Sequence, residues 1–233
     1  MAARPVTVWA LVLAGGTGSR FGSEQPKQLL DLGGRSVFAR SVDALAGHRR
    51  VDRIVLVTHA ASAPEAERIA AAEPKVVSVV AGGDTRAAST RAGLAAVPAW
   101  GDDDLVLVHD AARPLVPPAV IDACVSALDN NDAATPALEC VDTVVEVDAD
   151  RMVRTIQRAR LRRVQTPQAF RASVLCRAHA ADALAPGEPT DDCAVVLAHE
   201  PGARVVVVPG DERNLKITRP GDLAQARRWL TDS

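Results

Sequence analysis

The stretch VTVWALVLAGGTGSRFGSEQPKQLL, residues 6–30, decides the fold. Its first nine residues are almost wholly apolar and run into a loop carrying Gly15, Gly16, Gly18 and Gly22. A short apolar run closed by glycines reads as a strand buried on both faces. The loop also holds Arg20 and ends at Pro26-Lys27. It is not a Walker A loop, because no Gly-Lys-Ser/Thr follows the glycines. It also departs from the dinucleotide fingerprint: Gly16-x-Gly18-x-x-x-Gly22 is one residue too long, and the next apolar run, RIVLVTHA, ends without an acidic residue to hold a ribose hydroxyl. Glycines nevertheless let backbone N–H groups close around phosphate oxygens. Arg20 adds a planar fork of donors and Lys27 a compact point charge. Together they suit a triphosphate whose charge must be neutralised during displacement.

Outward from this loop, apolar runs alternate with segments of helical spacing. VTVWALVLA, RIVLVTH, KVVSVVAGG, DLVLVHDA, AATPALE and ARVVVVPG read as buried strands. SVFARSVDALAG, SAPEAERIAAAE, TRAASTRAGLAAV, PPAVIDACVSALDN, FRASVLCRAHAADAL, DDCAVVLAHE and GDLAQARRWLTD read as helices. The alternation predicts an α/β fold with a mainly parallel sheet covered on both faces. Ligands of such sheets sit at the carboxyl ends of the strands, so the motif loops should converge there. Residues 140–163, CVDTVVEVDADRMVRTIQRARLRR, break the rhythm. They alternate polar and apolar around a turn near Asp148-Ala149-Asp150, and read as a β-hairpin arm followed by a basic stretch. An isolated hairpin is marginal in water, so the arm should pack either on its own domain or, the favoured reading, on a second copy. The expected organisation is one domain, 1–139 with 164–233, and a 140–163 arm for dimerisation and substrate binding.

Bulk properties exclude several classes. The 233 residues carry a formal net charge of −2, which argues against a protein that coats nucleic acid or an anionic membrane. No run approaches the ~20 apolar residues of a membrane span. The first apolar run ends in glycines rather than at a small-residue cleavage site, and is read as a strand rather than a signal peptide. Cys124, Cys140, Cys176 and Cys193 are scattered without C-x-x-C, as expected of reduced thiols in a cytoplasmic protein. Of 27 basic residues only Lys27, Lys75 and Lys216 are lysines, and two of these fall in motifs.

Further along the chain, Gly83, Asp84 and Ser89 lie where the third strand meets its helix, with Asp84 or Thr85 available as helix cap. Asp110 ends DLVLVHD, where a carboxylate facing a triphosphate could bind Mg2+. His109 beside it reads as packed rather than metal-binding. Arg113 could hold Asp110 in place or reach a substrate phosphate. Asp191 and Asp192 fit a helix N-terminus without further role.

The pattern L-A-G-G-x-G-x-R-x-G followed by P-K-Q resembles the signature of nucleotidyltransferases that make nucleoside-diphosphate sugars and alcohols. With AGGDTRAAST (81–90), VHDAARP (108–114), TPQ (166–168), TDD (190–192) and ERNLKITRPGDL (212–223), the chain is similar to the 2-C-methyl-D-erythritol 4-phosphate cytidylyltransferases over essentially its whole length. The resemblance implies a Rossmann-like sheet and a homodimer built by the arm. It implies transfer of a cytidylyl group from CTP to methylerythritol phosphate, with release of pyrophosphate, in non-mevalonate isoprenoid synthesis. It makes Arg20 and Lys27 the triphosphate-holding catalytic cations, with Lys216 acting on CTP or the transferred phosphate. Ala14, Gly15, Gly16 and Gly18 become the backbone cradle, and Gly83, Asp84 and Ser89 the cytosine and ribose contacts. Asp110, Arg113 and Thr166, with Thr143 and Arg158 of the partner's arm, would grip the acceptor, and Asp110 would hold Mg2+. The nearest alternative is a ribitol-5-phosphate cytidylyltransferase using the same CTP machinery. A sugar-1-phosphate or molybdopterin nucleotidyltransferase fits VHDAARP and LKITRP less well. A nucleotide-sensing module without catalysis would have had no need to keep Arg20, Lys27, Asp110 and Lys216 together.

Overall fold

The computed structural model describes residues 5–15, 26–181 and 189–231. The opening run forms β1 (Val8–Ala14), buried along its whole length. Its side chains alternate between two cores. Val8, Ala10, Val12 and Ala14 join Phe38, Leu45, Leu56 and Ile121 on one face. Trp9, Leu11 and Leu13 join Val57, Leu94, Val108, Phe170 and Leu175 on the other. Helices covering both faces explain why the run is apolar throughout rather than at every second position.

The remaining strands are β2 (Arg53–Thr58), β3 (Val76–Ala81), β4 (Leu105–Asp110), β5 (Ala133–Glu139), β6 (Val144–Asp148), β7 (Arg151–Ile156), β8 (Arg162–Val164), β9 (Gln168–Arg171) and β10 (Val205–Pro209). The helices are α1 (Val37–Ala46), α2 (Ala63–Ala72), α3 (Arg86–Ala95), α4 (Pro118–Ala127), α5 (Ala172–Ala181), α6 (Asp192–His199) and α7 (Pro220–Thr231). Side-chain caps start several of them: Ser36 accepts from the Ala39 N–H and Thr85 from the Ala88 N–H.

The main sheet runs β10-β5-β9-β4-β1-β2-β3, with β8 added on β5. The pairs β1–β2, β2–β3, β1–β4 and β5–β10 are parallel. The chain winds outward from β1 to β3, then returns to place β4 on the other side of β1. The carboxyl ends of β1 and β4 therefore flank a topological switch point, where such sheets open a crevice.

The structure differs from the sequence expectation at two short strands, β8, expected only as the basic stretch of the arm, and β9. The helix expected over FRASVLCRAHAADAL starts only at Ala172, because Gln168–Arg171 is strand β9, antiparallel between β4 and β5. The hairpin predicted in 140–163 is β6–β7, a separate two-stranded sheet turning at Ala149, whose φ of 51° is left-handed. After it, β8 brings the chain back to the main sheet beside Glu139.

Candidate active site

The site is assembled from the tips of β1, β3 and β4 and from the segment after β10. At β1, the buried Gln28 donates from Nε2 to the Ala14 carbonyl at 3.0 Å and to Ser62 Oγ at 3.1 Å. One amide thereby ties the P-K-Q stretch to the end of β1, with Lys27 adjacent at the start of a 3-10 turn, Lys27–Leu29. Sequence reading quoted Gln28 but gave it no role. Gly16, Gly18 and Arg20 lie outside the described residues.

Backbone approach is tight around Gly15. A Cβ there would stand 2.9 Å from His59 Nε2, and one at Gly82 would stand 2.9 Å from Ser89 Oγ. At Gly83 it would meet the Ala88 Cβ at 2.5 Å, so no side chain fits without movement. Ser89 is buried and donates to the Gly83 carbonyl at 3.3 Å. Thr85, not Asp84, caps α3, which leaves Asp84 exposed beside this turn.

Asp110 is the centre of charge. Lys216 Nζ lies 2.7 Å from its Oδ2, Arg113 Nε 3.9 Å from the same oxygen, and Arg86 Nε 3.7 Å from Oδ1. Burial alone would raise this carboxyl, but Lys216, Arg86 and Arg113 outweigh it and hold Asp110 well below the usual carboxylate range. It is therefore ionised at every working pH.

The backbone around Asp110 is fixed by a chain of hydrogen bonds. Its N–H donates to Thr166 Oγ1 at 3.0 Å. Thr166 Oγ1 is 3.2 Å from His109 Nδ1, and His109 Nε2 is 3.0 Å from the Arg113 carbonyl. Burial pushes His109 down to about 4, so the ring is neutral at pH 7. A carbonyl only accepts, so the ring proton sits on Nε2, and Nδ1 accepts from the Thr166 hydroxyl. Thr166 thus commits its proton to the protein and keeps only acceptor capacity for a substrate. His109 is packed and hydrogen-bonded, as its sequence reading had it.

Arg113 Nη1 donates to the Asn214 carbonyl at 2.8 Å and Nη2 to the Val164 carbonyl at 3.4 Å, leaving Nε to face Asp110. Burial lowers this guanidinium's pKa. Asn214, fully buried, donates to the Thr166 carbonyl at 2.8 Å, and the Ile217 N–H donates to the Ala112 carbonyl at 2.8 Å. Lys216 is thereby presented from a segment pinned on both sides. The following α7 is capped by Asp222, whose Oδ2 accepts from the Thr218 and Arg219 N–H groups and the Thr218 hydroxyl.

Asp191 caps α6 by accepting from the Ala194 N–H, and accepts from Gln168 Nε2 at 3.0 Å. Asp192 is fully buried between Arg86 Nη1 and His179 Nε2, the latter at 3.0 Å. Sequence reading left both carboxylates without a firm role and passed over Arg86. One signal was available: a cation in the first turn of a helix opposes the helix dipole, so an acidic partner must face it.

Thr143 and Arg158 are exposed, and Arg158 donates to the Val141 carbonyl within the same arm segment. The site as built from the described residues of one chain thus brings together Ala14, Gly15 and Lys27 at β1, Gly83 and Ser89 at β3, and Asp110, Arg113, Thr166 and Lys216 at β4.

The family model for IspD, 2-C-methyl-D-erythritol 4-phosphate cytidylyltransferase, matches residues 8–232. A 2-C-methyl-D-erythritol 4-phosphate cytidylyltransferase of Thermobifida fusca is 48% identical over 231 residues, covering 96% of this chain and 93% of the relative. One from Rhodococcus jostii is 43% identical, covering 97% and 96%. Among solved structures, the 4-diphosphocytidyl-2C-methyl-D-erythritol synthase of Anaerococcus prevotii superposes with a TM-score of 0.84 at 28% identity, covering 97% of this chain and 99% of that one. Sequence and fold agree over the same span, and the chain belongs to the 2-C-methyl-D-erythritol 4-phosphate cytidylyltransferase family.

Proposed function

We infer that this chain is a nucleotidyltransferase that joins CTP to 2-C-methyl-D-erythritol 4-phosphate, giving 4-diphosphocytidyl-2-C-methyl-D-erythritol and pyrophosphate. The observation that carries the reading is the meeting of Gly15 at the β1 tip, Asp110 and Lys216 at one switch point, in a chain of this family. The ribitol-5-phosphate alternative is not favoured, since the relatives reported above bear the methylerythritol name.

The chemistry follows from charge. A monoester phosphate has its second pKa near ~6 and is largely dianionic at neutral pH, so the nucleophile needs no general base. The barrier is the approach of an anion to an anionic α-phosphorus, which makes catalysis positioning plus charge neutralisation. In this reading Arg20 and Lys27 hold the triphosphate, and Gly15, Gly16 and Gly18 offer backbone donors beside Ala14. Gly83, Asp84 and Ser89 receive cytosine and ribose. Lys216 exchanges Asp110 for the acceptor phosphate when that phosphate arrives, because its 40% exposed side chain already reaches into the crevice. Arg113 and Thr166 fix the floor beneath it.

Mg2+ fits as a one-carboxylate site completed by phosphate oxygens. Asp110 is ionised, and among the described residues its Oδ1 meets only the looser Arg86 contact at 3.7 Å. When bound, the ion supplies charge neutralisation on the triphosphate.

A homodimer through the arm belongs to the same proposal. Val147 and Met152 are exposed cross-strand partners on a hairpin that forms its own sheet, and Val141 and Val153 are exposed on the same arm. Thr143 and Arg158 would then reach the acceptor bound by the partner. A cytoplasmic location is also proposed, supported by the unpaired Cys124, Cys140, Cys176 and Cys193. Among the described residues no helix is long and apolar enough to cross a membrane.

The test is pyrophosphate release with CTP and Mg2+, offering methylerythritol phosphate and ribitol-5-phosphate in parallel. Release with methylerythritol phosphate alone is expected, falling by on the order of a hundredfold or more in Lys27→Ala and Lys216→Ala. Release with ribitol-5-phosphate alone would overturn the substrate.

A further inference from the structure

The buried ion cluster behind Asp110 has no part in the reaction as described so far. Its members come from three elements. Arg86 stands at the first position of α3, Asp192 at the first position of α6, and His179 near the end of α5. Arg86 Nη1 donates to Asp192 Oδ2, while Arg86 Nε points at Asp110 Oδ1 from 3.7 Å. That separation is too long for a hydrogen bond but short enough for strong charge interaction. Arg86 Nη2 is buried and has no hydrogen-bond partner.

Arg86 would not stay there unaided. Arg113 lies on the same carboxylate and repels it. Asp192 is what holds it. This carboxylate is fully buried, fixed by His179 on Oδ1, and its own N–H donates to Gln168 Oε1 at 3.1 Å. Burial would raise it, yet Arg86 and His179 keep it ionised. It is a rigid anchor some way behind the substrate crevice.

We propose that Arg86, anchored by Asp192 and His179, is a positioning residue for Asp110 and Lys216. It shares the charge of Asp110 from the Oδ1 side without locking that oxygen. The Lys216–Asp110 pair is then loose enough for Lys216 to move onto the acceptor phosphate. Without Arg86, Asp110 is left to Lys216 and the looser Arg113 contact, and it holds the lysine back from substrate more tightly. Asp192 acts only through Arg86. This rests on the reading that Asp110 and Lys216 serve the acceptor phosphate.

The experiment is steady-state kinetics on the full-length enzyme with CTP, Mg2+ and methylerythritol phosphate. Wild type, Arg86→Gln, Asp192→Asn and the double variant are compared, each with its thermal unfolding midpoint. Arg86→Gln is expected to raise KM for methylerythritol phosphate about tenfold or more while KM for CTP moves less than about twofold. In the Arg86→Gln background, Asp192→Asn should cost nothing further in kcat/KM, since two residues acting as one unit are non-additive. A merely structural cluster predicts the opposite: apparent kcat falls with the loss of folded protein, and the KM for methylerythritol phosphate does not rise selectively. Unchanged acceptor KM in a folded Arg86→Gln, or additive losses, would overturn the proposal. An inactive wild type would instead overturn the substrate reading on which it rests. If Arg86→Gln folds poorly, Arg86→Lys keeps the charge but not the fork. It should show the same acceptor-specific rise in KM at smaller size, and equal changes in both KM values would count against the proposal.

Discussion

Gln28 and Asp192 are small changes away from large consequences. Gln28 satisfies the Ala14 carbonyl at the end of a fully buried strand, and its replacement by Ala leaves that acceptor without this partner. The expected cost is about 1–3 kcal/mol of stability in urea unfolding, together with a higher KM for CTP because Lys27 loses its tether. Asp192 makes a prediction about acid. Its folded pKa is depressed, so the unfolded chain takes up the proton first as pH falls. Its stabilisation is complete above the unfolded carboxylate value of ~3.9 and is lost as pH drops through the lower folded value. Urea midpoints below pH ~4 should therefore fall less steeply in Asp192→Asn than in wild type, from a lower starting point. An equal slope in both would show that other carboxylates carry the acid sensitivity. Residues of this kind are hard to read from sequence. Asp110 declares itself as a charge at the end of an apolar run, and Lys216 through the resemblance of ERNLKITRPGDL to the family pattern. Gln28 and Arg86 do not, because their meaning lies in partners 14 and 106 positions away.

At the level of elements, most of the fold was legible. β1 to β5 and β10 are runs with enough apolar residues to show at both faces. β9 was not, because its four residues include Gln168, a polar side chain buried for its bonds to Asp191, Asp192 and Thr135 rather than for its apolarity. A strand that short, followed at once by α5, reads as the helix start. The turn from β3 into α3 is the element most sensitive to a single methyl group. Gly83→Ala places a Cβ 2.5 Å from that of Ala88. About 1–3 kcal/mol of overpacking is expected, seen as a lower thermal midpoint with CTP binding weakened more than acceptor binding. The arm is the opposite case, an element whose own contacts do not hold it. Arg154 pairs with Glu146 across the strands at 2.5 Å, but both side chains are exposed and such pairs contribute little. In the proposed dimer a second copy covers the exposed Val147 and Met152. Val147→Glu combined with Met152→Glu should shift the protein to a monomer in analytical ultracentrifugation, with most of its activity lost while the main-domain melting transition persists. Full activity in a monomer would remove the shared-site reading.

The whole molecule is organised around the order in which its strands are laid down. The central pair is β1 with β4, and the outermost strand beyond β5 is β10, contributed late in the chain. Lys216 follows β10, and Ile217 is hydrogen-bonded to Ala112, so the cation reaches Asp110 only after β10 and the segment after it have docked. The same dependence appears in the cluster of Leu32, Val37, Ile217 and Leu223, where an early loop packs against the late helix α7. During synthesis, domains take shape as the ribosome delivers them. In this chain the residues at β1 and β3 proposed to receive the nucleotide are made well before Lys216. In the proposed reaction the chain cannot turn CTP over until then. Catalytic competence would arrive in one step with the docking of Lys216, and products truncated before it would be silent rather than wasteful of nucleotide.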